Sequence, residues 1–207
     1  MLQSNQHDIQ HRDLIGVPTI LIILIGYIGL PLVFLTGVIP FSLRYIAYGT
    51  GGALSLFLSS KILVSTLKSE HEKLREWRPY LFATLLLLGL LLAGYSLGIG
   101  DPVPVKKNWL FYLLYVLFLS PIQEYAYRVL PVVVMRQMEI TNTIARLMIL
   151  TLPYIFVHTI YYNGTLLVFS AVAGYIWATL SLKTPCWLWL SISHALLGTL
   201  AMLLKMI

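Results

Sequence analysis

Residues 120–130 read Ser-Pro-Ile-Gln-Glu-Tyr-Ala-Tyr-Arg-Val-Leu, which sets Glu124 and Arg128 four apart between the apolar runs 109–120 and 129–135. On a helix, side chains four apart are neighbours, so this carboxylate and this guanidinium reach each other. Charges are expensive in hydrocarbon, and those that occur there turn toward the bundle interior and pair. The stretch therefore predicts a membrane-embedded helix with a polar inner face, and the whole chain reads as all-α.

Composition agrees. The 207 residues are 58% hydrophobic and only 11% charged, where a soluble domain carries about 25% charged residues. The apolar runs are continuous, not the short alternating segments of a β-barrel. They predict about seven spans, at 14–38, 44–66, 79–99, 109–135, 143–162, 165–182 and 187–204. The first run is too long for a cleavable signal, so it reads as a retained span, kinked by Pro31. The second is diluted by Arg44, Lys61 and Gly51-Gly52.

The mixed-charge segment 68–78 reads as a solvated connector, 101–107 as a stiff loop, and Asn163-Gly164 as a tight turn. Trp109, Trp187 and Trp189 fall near span ends, where indoles anchor at the interface. With no internal repeat, the chain reads as one membrane domain, 1–207. The formal charge of +6 lies mainly in connectors and predicts no nucleic-acid partner. Arg12, Lys68, Lys73, Arg75, Arg78, Arg136 and Lys183 fall on the N-terminal side, against Arg44, Lys106, Lys107 and Lys205 on the other. This bias predicts a cytoplasmic N-terminus. The single cysteine, Cys186, cannot form an intrachain disulfide.

Two histidines interrupt later apolar runs, His158 in Tyr-Ile-Phe-Val-His (154–158) and His194 in Trp-Leu-Ser-Ile-Ser-His (189–194). Histidine titrates near neutrality and is the usual general base. Two of them with Glu124 and Arg128, on three spans, suit a hydrolase or a proton path. His158, His194 and Glu124 would also make a His₂Glu zinc set, but there is no His-Glu-x-x-His. The reading expects no metal and no cofactor.

These motifs resemble the CAAX protease and bacteriocin-processing family of intramembrane glutamic endopeptidases. That family carries Glu-Glu-x-x-x-Arg, Phe-x-x-x-His and His-x-x-x-Asn on successive spans. This chain has Gln123-Glu124-x-x-x-Arg128, Tyr154-x-x-x-His158 and His194-x-x-x-Gly198, with Gly174 and Lys183-Thr184 in a similar linker. The resemblance covers about 120–204. It implies a family-like core at 109–204, preceded by divergent spans at 1–108.

It also implies roles. Gln123 stands where the family's water-activating Glu would be, with His158 as the partner base. Glu124, Arg128 and His194 complete the site. Tyr154 and Gly198 fall at substrate or oxyanion positions, and Leu188 replaces a Trp. A carboxamide cannot accept a proton at neutral pH, and losing one oxyanion donor costs about a hundredfold or more in rate. The expectation is an endopeptidase-like protein, weak or inactive, acting on membrane-embedded or prenylated peptides among membrane lipids. The alternative is a non-catalytic scaffold or assembly factor bound to a membrane protein complex.

Overall fold

A computed structural model describes residues 17–99 and 109–204, and every regular element among them is helical. In chain order these are α1 (Val17–Leu35), α2 (Arg44–Leu58), α3 (Ser60–Lys73), α4 (Trp77–Ser96), α5 (109–137), α6 (Thr143–His158), α7 (Gly164–Lys183) and α8 (Trp187–Leu203). Residues 14–16 and the loop 101–107 lie outside the described residues.

Among the described residues three helices are long and apolar enough to cross a membrane: Trp77–Ser96, Thr143–Tyr161 and Gly164–Lys183. A fourth counts if α2 and α3 act as one broken span. The stretch Ile20–Leu35 of α1, and α8, are apolar but shorter. Large apolar side chains, including Ile22, Phe57, Phe82 and Leu117, point outward. A hydrocarbon surround permits such a surface, whereas water would drive it to associate. The chain is thus a membrane protein by the surface its helices present.

α1 runs on through Pro31 as one helix. Two expectations change in detail. The straight second span at 44–66 is not formed, because the chain bends by 83° between α2 and α3. At the bend, the Ser59 hydroxyl donates to the Ser55 carbonyl at 2.5 Å, a back-bond that bends helices. Tyr125 holds the corner, its hydroxyl 2.9 Å from Ser59 Oγ. The fourth span is helical throughout but alternates α-helix with two wide π turns, Tyr115–Leu119 and Tyr125–Val129.

Among the described residues the segment 68–78 is largely exposed, as a solvated connector would be, with Glu70 as the exception. Glu70 is buried, and its Oε2 accepts from the Leu188 amide at 3.0 Å and the Cys186 thiol at 3.1 Å. The first amides of a helix have no partner within it, so Glu70 caps α8 from a distant element. Burial pushes the Cys186 thiol up to about 12, which keeps its proton available to donate. Tyr80 adds a second tie: its hydroxyl donates to the Thr184 carbonyl and accepts from the Cys186 amide. Trp187 and Trp189, expected near span ends, are half-buried and tied to the fold. Their indoles donate to the carbonyls of Pro121 and Leu74. Trp109 is exposed, as an anchor would be.

Inside, α6 packs along α7, α8 lies between α4 and α5, and α1 packs on α2, α5 and α6. The Asn142 and Asn163 side chains cap α6 and α7 by accepting from Ala145 and Leu166 amides. Asn163 follows Tyr162, at φ 51°, which makes the expected tight turn.

Candidate functional site

Local backbone places the polar set. Proline has no amide proton, and its ring crowds the carbonyl four residues earlier. For Pro121 and Pro131 those carbonyls belong to Leu117 and Tyr127, each inside one of the two π turns of α5. Such turns are common at functional sites. Pro131 cannot donate to the Tyr127 carbonyl, and that carbonyl accepts from Arg128 Nη1 at 3.1 Å.

Arg128 is buried and reaches three helices. Nη1 also donates to the Leu150 carbonyl of α6 at 2.6 Å, and Nη2 to the Gly174 carbonyl of α7 at 3.3 Å. The guanidinium sits 4.9 Å from the centre of the Tyr154 ring, in cation–π range. A Cβ at Gly174 would come within 2.8 Å of that ring, so a glycine lets α7 approach. The predicted pair is present, with Arg128 Nε 3.8 Å from Glu124 Oε2. This is charge proximity without a hydrogen bond, since neither atom has a partner.

Glu124 is fully buried, and its Oε1 lies 2.7 Å from His194 Nδ1. A carboxylate only accepts, so Nδ1 carries the proton. His194 stacks on Trp177, with ring centres 5.0 Å apart and planes at 26°. The Trp177 indole donates to Ser193 Oγ at 3.1 Å. Tyr154 and Tyr115 meet His194 edge-on. This packing leaves the imidazole one orientation, aimed at Glu124.

His158 is held differently. Its Nδ1 lies 2.7 Å from the Tyr154 carbonyl, which can only accept, so Nε2 is left with the lone pair. The Tyr154 ring lies 4.8 Å from the His158 ring and 5.6 Å from the His194 ring. Glu124, Arg128, His158 and His194 are all within electrostatic reach of one another.

Gln123 is half-buried and makes no hydrogen bond to another described residue. Gly198 faces Tyr115: a Cβ there would collide with the Tyr115 hydroxyl. The space that an Asn side chain would enter is already filled by a phenol from the first π turn.

Glu124, Arg128, His158 and His194 are therefore gathered around Tyr154, and no hydrogen bond joins Gln123 to them. As a zinc set they do not assemble: among the described residues no three His, Cys, Asp or Glu side chains are grouped to hold a metal ion. Sequence reasoning missed Tyr115, Trp177 and Ser193, which are ordinary residues in apolar runs, and Glu70, hidden in a charge-rich segment. Only Pro121 hinted at the distortion that carries Tyr115.

The arrangement can do limited chemistry. His158 Nε2 can take a proton, and Glu124 fixes the orientation and tautomer of His194. No family model, no curated protein and no solved structure matches the chain.

Proposed function

We propose that this chain is a multi-pass, intramembrane endopeptidase-like protein of the glutamate type, with a CAAX-protease-like core at 109–204 and weak or absent peptide hydrolysis. The observation that carries this reading is the engagement of Glu124. One carboxylate oxygen is held by His194 and the other faces Arg128. A carboxylate so compensated is a poor base, and Gln123 beside it cannot accept a proton. His158 is left as the sole candidate base, with no carboxylate to share the work.

About seven passes with a cytoplasmic N-terminus are part of the proposal. In its support, connections that should lie on one side do meet. Arg44 lies over the rings of Phe41 and Tyr161, and Glu70 and Tyr80 hold the connection from α7 to α8.

A second reading, a non-catalytic scaffold or assembly factor bound to a membrane protein, is favoured by the Tyr115 hydroxyl packed against Gly198. There it replaces the oxyanion side chain by packing.

The test is cleavage of prenylated CAAX-type and leader peptides by the purified protein. Turnover is expected at or near the level of His158→Ala, and Gln123→Glu should raise it by up to about a hundredfold, the scale of one general base. Robust native cleavage that His158→Ala abolishes would overturn the weak-or-absent reading. A stoichiometric membrane partner, with no gain from Gln123→Glu, would decide for the scaffold.

A further inference from the structure

A second polar site lies away from the histidines, at the end of the bundle that carries Lys68, Lys73, Arg75, Arg78, Arg136 and Lys183. Here α3, α5 and the connection from α7 to α8 enclose a cavity of about 90 Å³. That is several times what one water needs. α3 contributes Ile62, Ser65, Thr66 and Lys73 to the lining, and α5 contributes Val129, Val133 and Arg136. Both helices thus bring apolar side chains and a cation to the same cavity. Arg128 forms part of the lining and Glu70 the rest of its charge, so three cations face one carboxylate.

The cations differ in freedom. Arg128 is committed to backbone carbonyls and Glu124. Lys73 donates to Ser69 Oγ at 2.9 Å and lies 3.6 Å from Glu70 Oε1. Arg136 is exposed at the rim. Glu70 also belongs to the lining. Its Oε2 accepts from Leu188 and Cys186, and its buried Oε1 has Lys73 as its charge partner. One carboxylate against three cations leaves an excess of positive charge at the cavity.

An occupant that fits has an apolar body and an anionic group for Lys73 and Arg136, beside the hydroxyls of Ser65 and Thr66. An anionic glycerophospholipid has both, and basic pockets between membrane helices hold such headgroups. We infer that this cavity binds an anionic phospholipid, its phosphate held by Lys73 and Arg136. The site is independent of whether the histidine cluster hydrolyses peptides.

The test is native mass spectrometry and thermal unfolding of the purified full chain, titrated with phosphatidylglycerol, phosphatidylcholine of the same acyl chains, or inorganic phosphate. Phosphatidylglycerol is expected to bind at least fivefold more tightly than phosphatidylcholine. Each cation near a lipid surface contributes about fivefold. Arg136→Gln should therefore lose about fivefold, and Arg136→Gln with Lys73→Gln about twenty-five-fold, while Arg136→Lys retains binding. Arg136→Gln alone keeps the test decisive if the double variant does not fold. Arg78→Gln, an exposed cation at the same end outside the cavity, should change nothing. Equal binding of both lipids, or an equal loss in Arg78→Gln, overturns the site. Binding of inorganic phosphate as tight as that of the lipid overturns the lipid and assigns the cations to a soluble anion.

Discussion

Among the described residues two glutamates are buried, each beside a cation, and they differ in their hydrogen-bond donors. Glu124 sits at the centre of the bundle between His194 and Arg128, both able to carry charge. Glu70 sits at one end, met by a backbone amide and a thiol, with Lys73 3.6 Å away. Glu124 joins α5 to α8 through side chains with titratable protons. Glu70 joins α3 to α8 through the helix end, where unpaired amides and the helix dipole favour a negative charge. Burial of a carboxylate is therefore not evidence of chemistry by itself. The partner distinguishes the two: neutral donors mark a fastening, whereas an oriented imidazole marks a place where a proton can move.

That contrast can be broken, and the largest effect is expected at Arg128. Arg128→Met removes a buried counter-charge and three carbonyl contacts. It should cost about 3–5 kcal/mol, read as lost thermal stability of the purified protein. A loss no larger than that of Glu70→Ala would erase the distinction. Glu70→Ala should cost about 1–3 kcal/mol by orphaning the Leu188 amide. Glu70→Gln keeps an acceptor and should recover most of that. If Gln is as damaging as Ala, the charge itself matters and Glu70 belongs with Glu124.

Smaller changes sharpen the picture. Gly198→Ala should cost about 1–2 kcal/mol by overpacking against Tyr115. In the background of Tyr115→Leu the cost should fall, giving coupling of at least about 0.5 kcal/mol in a double-mutant cycle. Additive losses would mean that the two residues do not share the space beside His194. The smallest effect is Asn163→Ala, at about 1 kcal/mol or less for a local helix cap. Set beside Glu70→Ala, it compares a cap made within its own helix with one made across the fold. A larger loss at Asn163 would show that the distant cap adds little.

How much was legible follows from range. The Glu124–Arg128 pair is a four-residue pattern and could be read directly, as could the capped turn at Asn163. The meeting of His194 with Glu124 spans 70 residues and was suggested only by resemblance to a motif order. The apolar runs placed the helices well, but not the bend at Ser59, where the signal was only a dilution of hydrophobicity. Glu70 was unreadable because charge-rich connectors usually face water, and nothing local says that α8 begins beside this one. The fit of Tyr115 to Gly198 is shape complementarity between distant helices. Neither residue carries a trace of it alone.

The wide turn at Tyr125–Val129 makes this helix tolerant of a change in length. A π turn accommodates one residue more than an α turn does. Deleting a single residue there would restore ordinary winding and leave the two halves of α5 in their present relation. Glu124 and Arg128 would then stand three apart and remain neighbours on one face. In a plain α-helical stretch the same deletion would turn one half against the other by about 100°. Among chains of this kind, a one-residue gap inside this turn is therefore expected to spare the pair where a gap elsewhere in α5 would not.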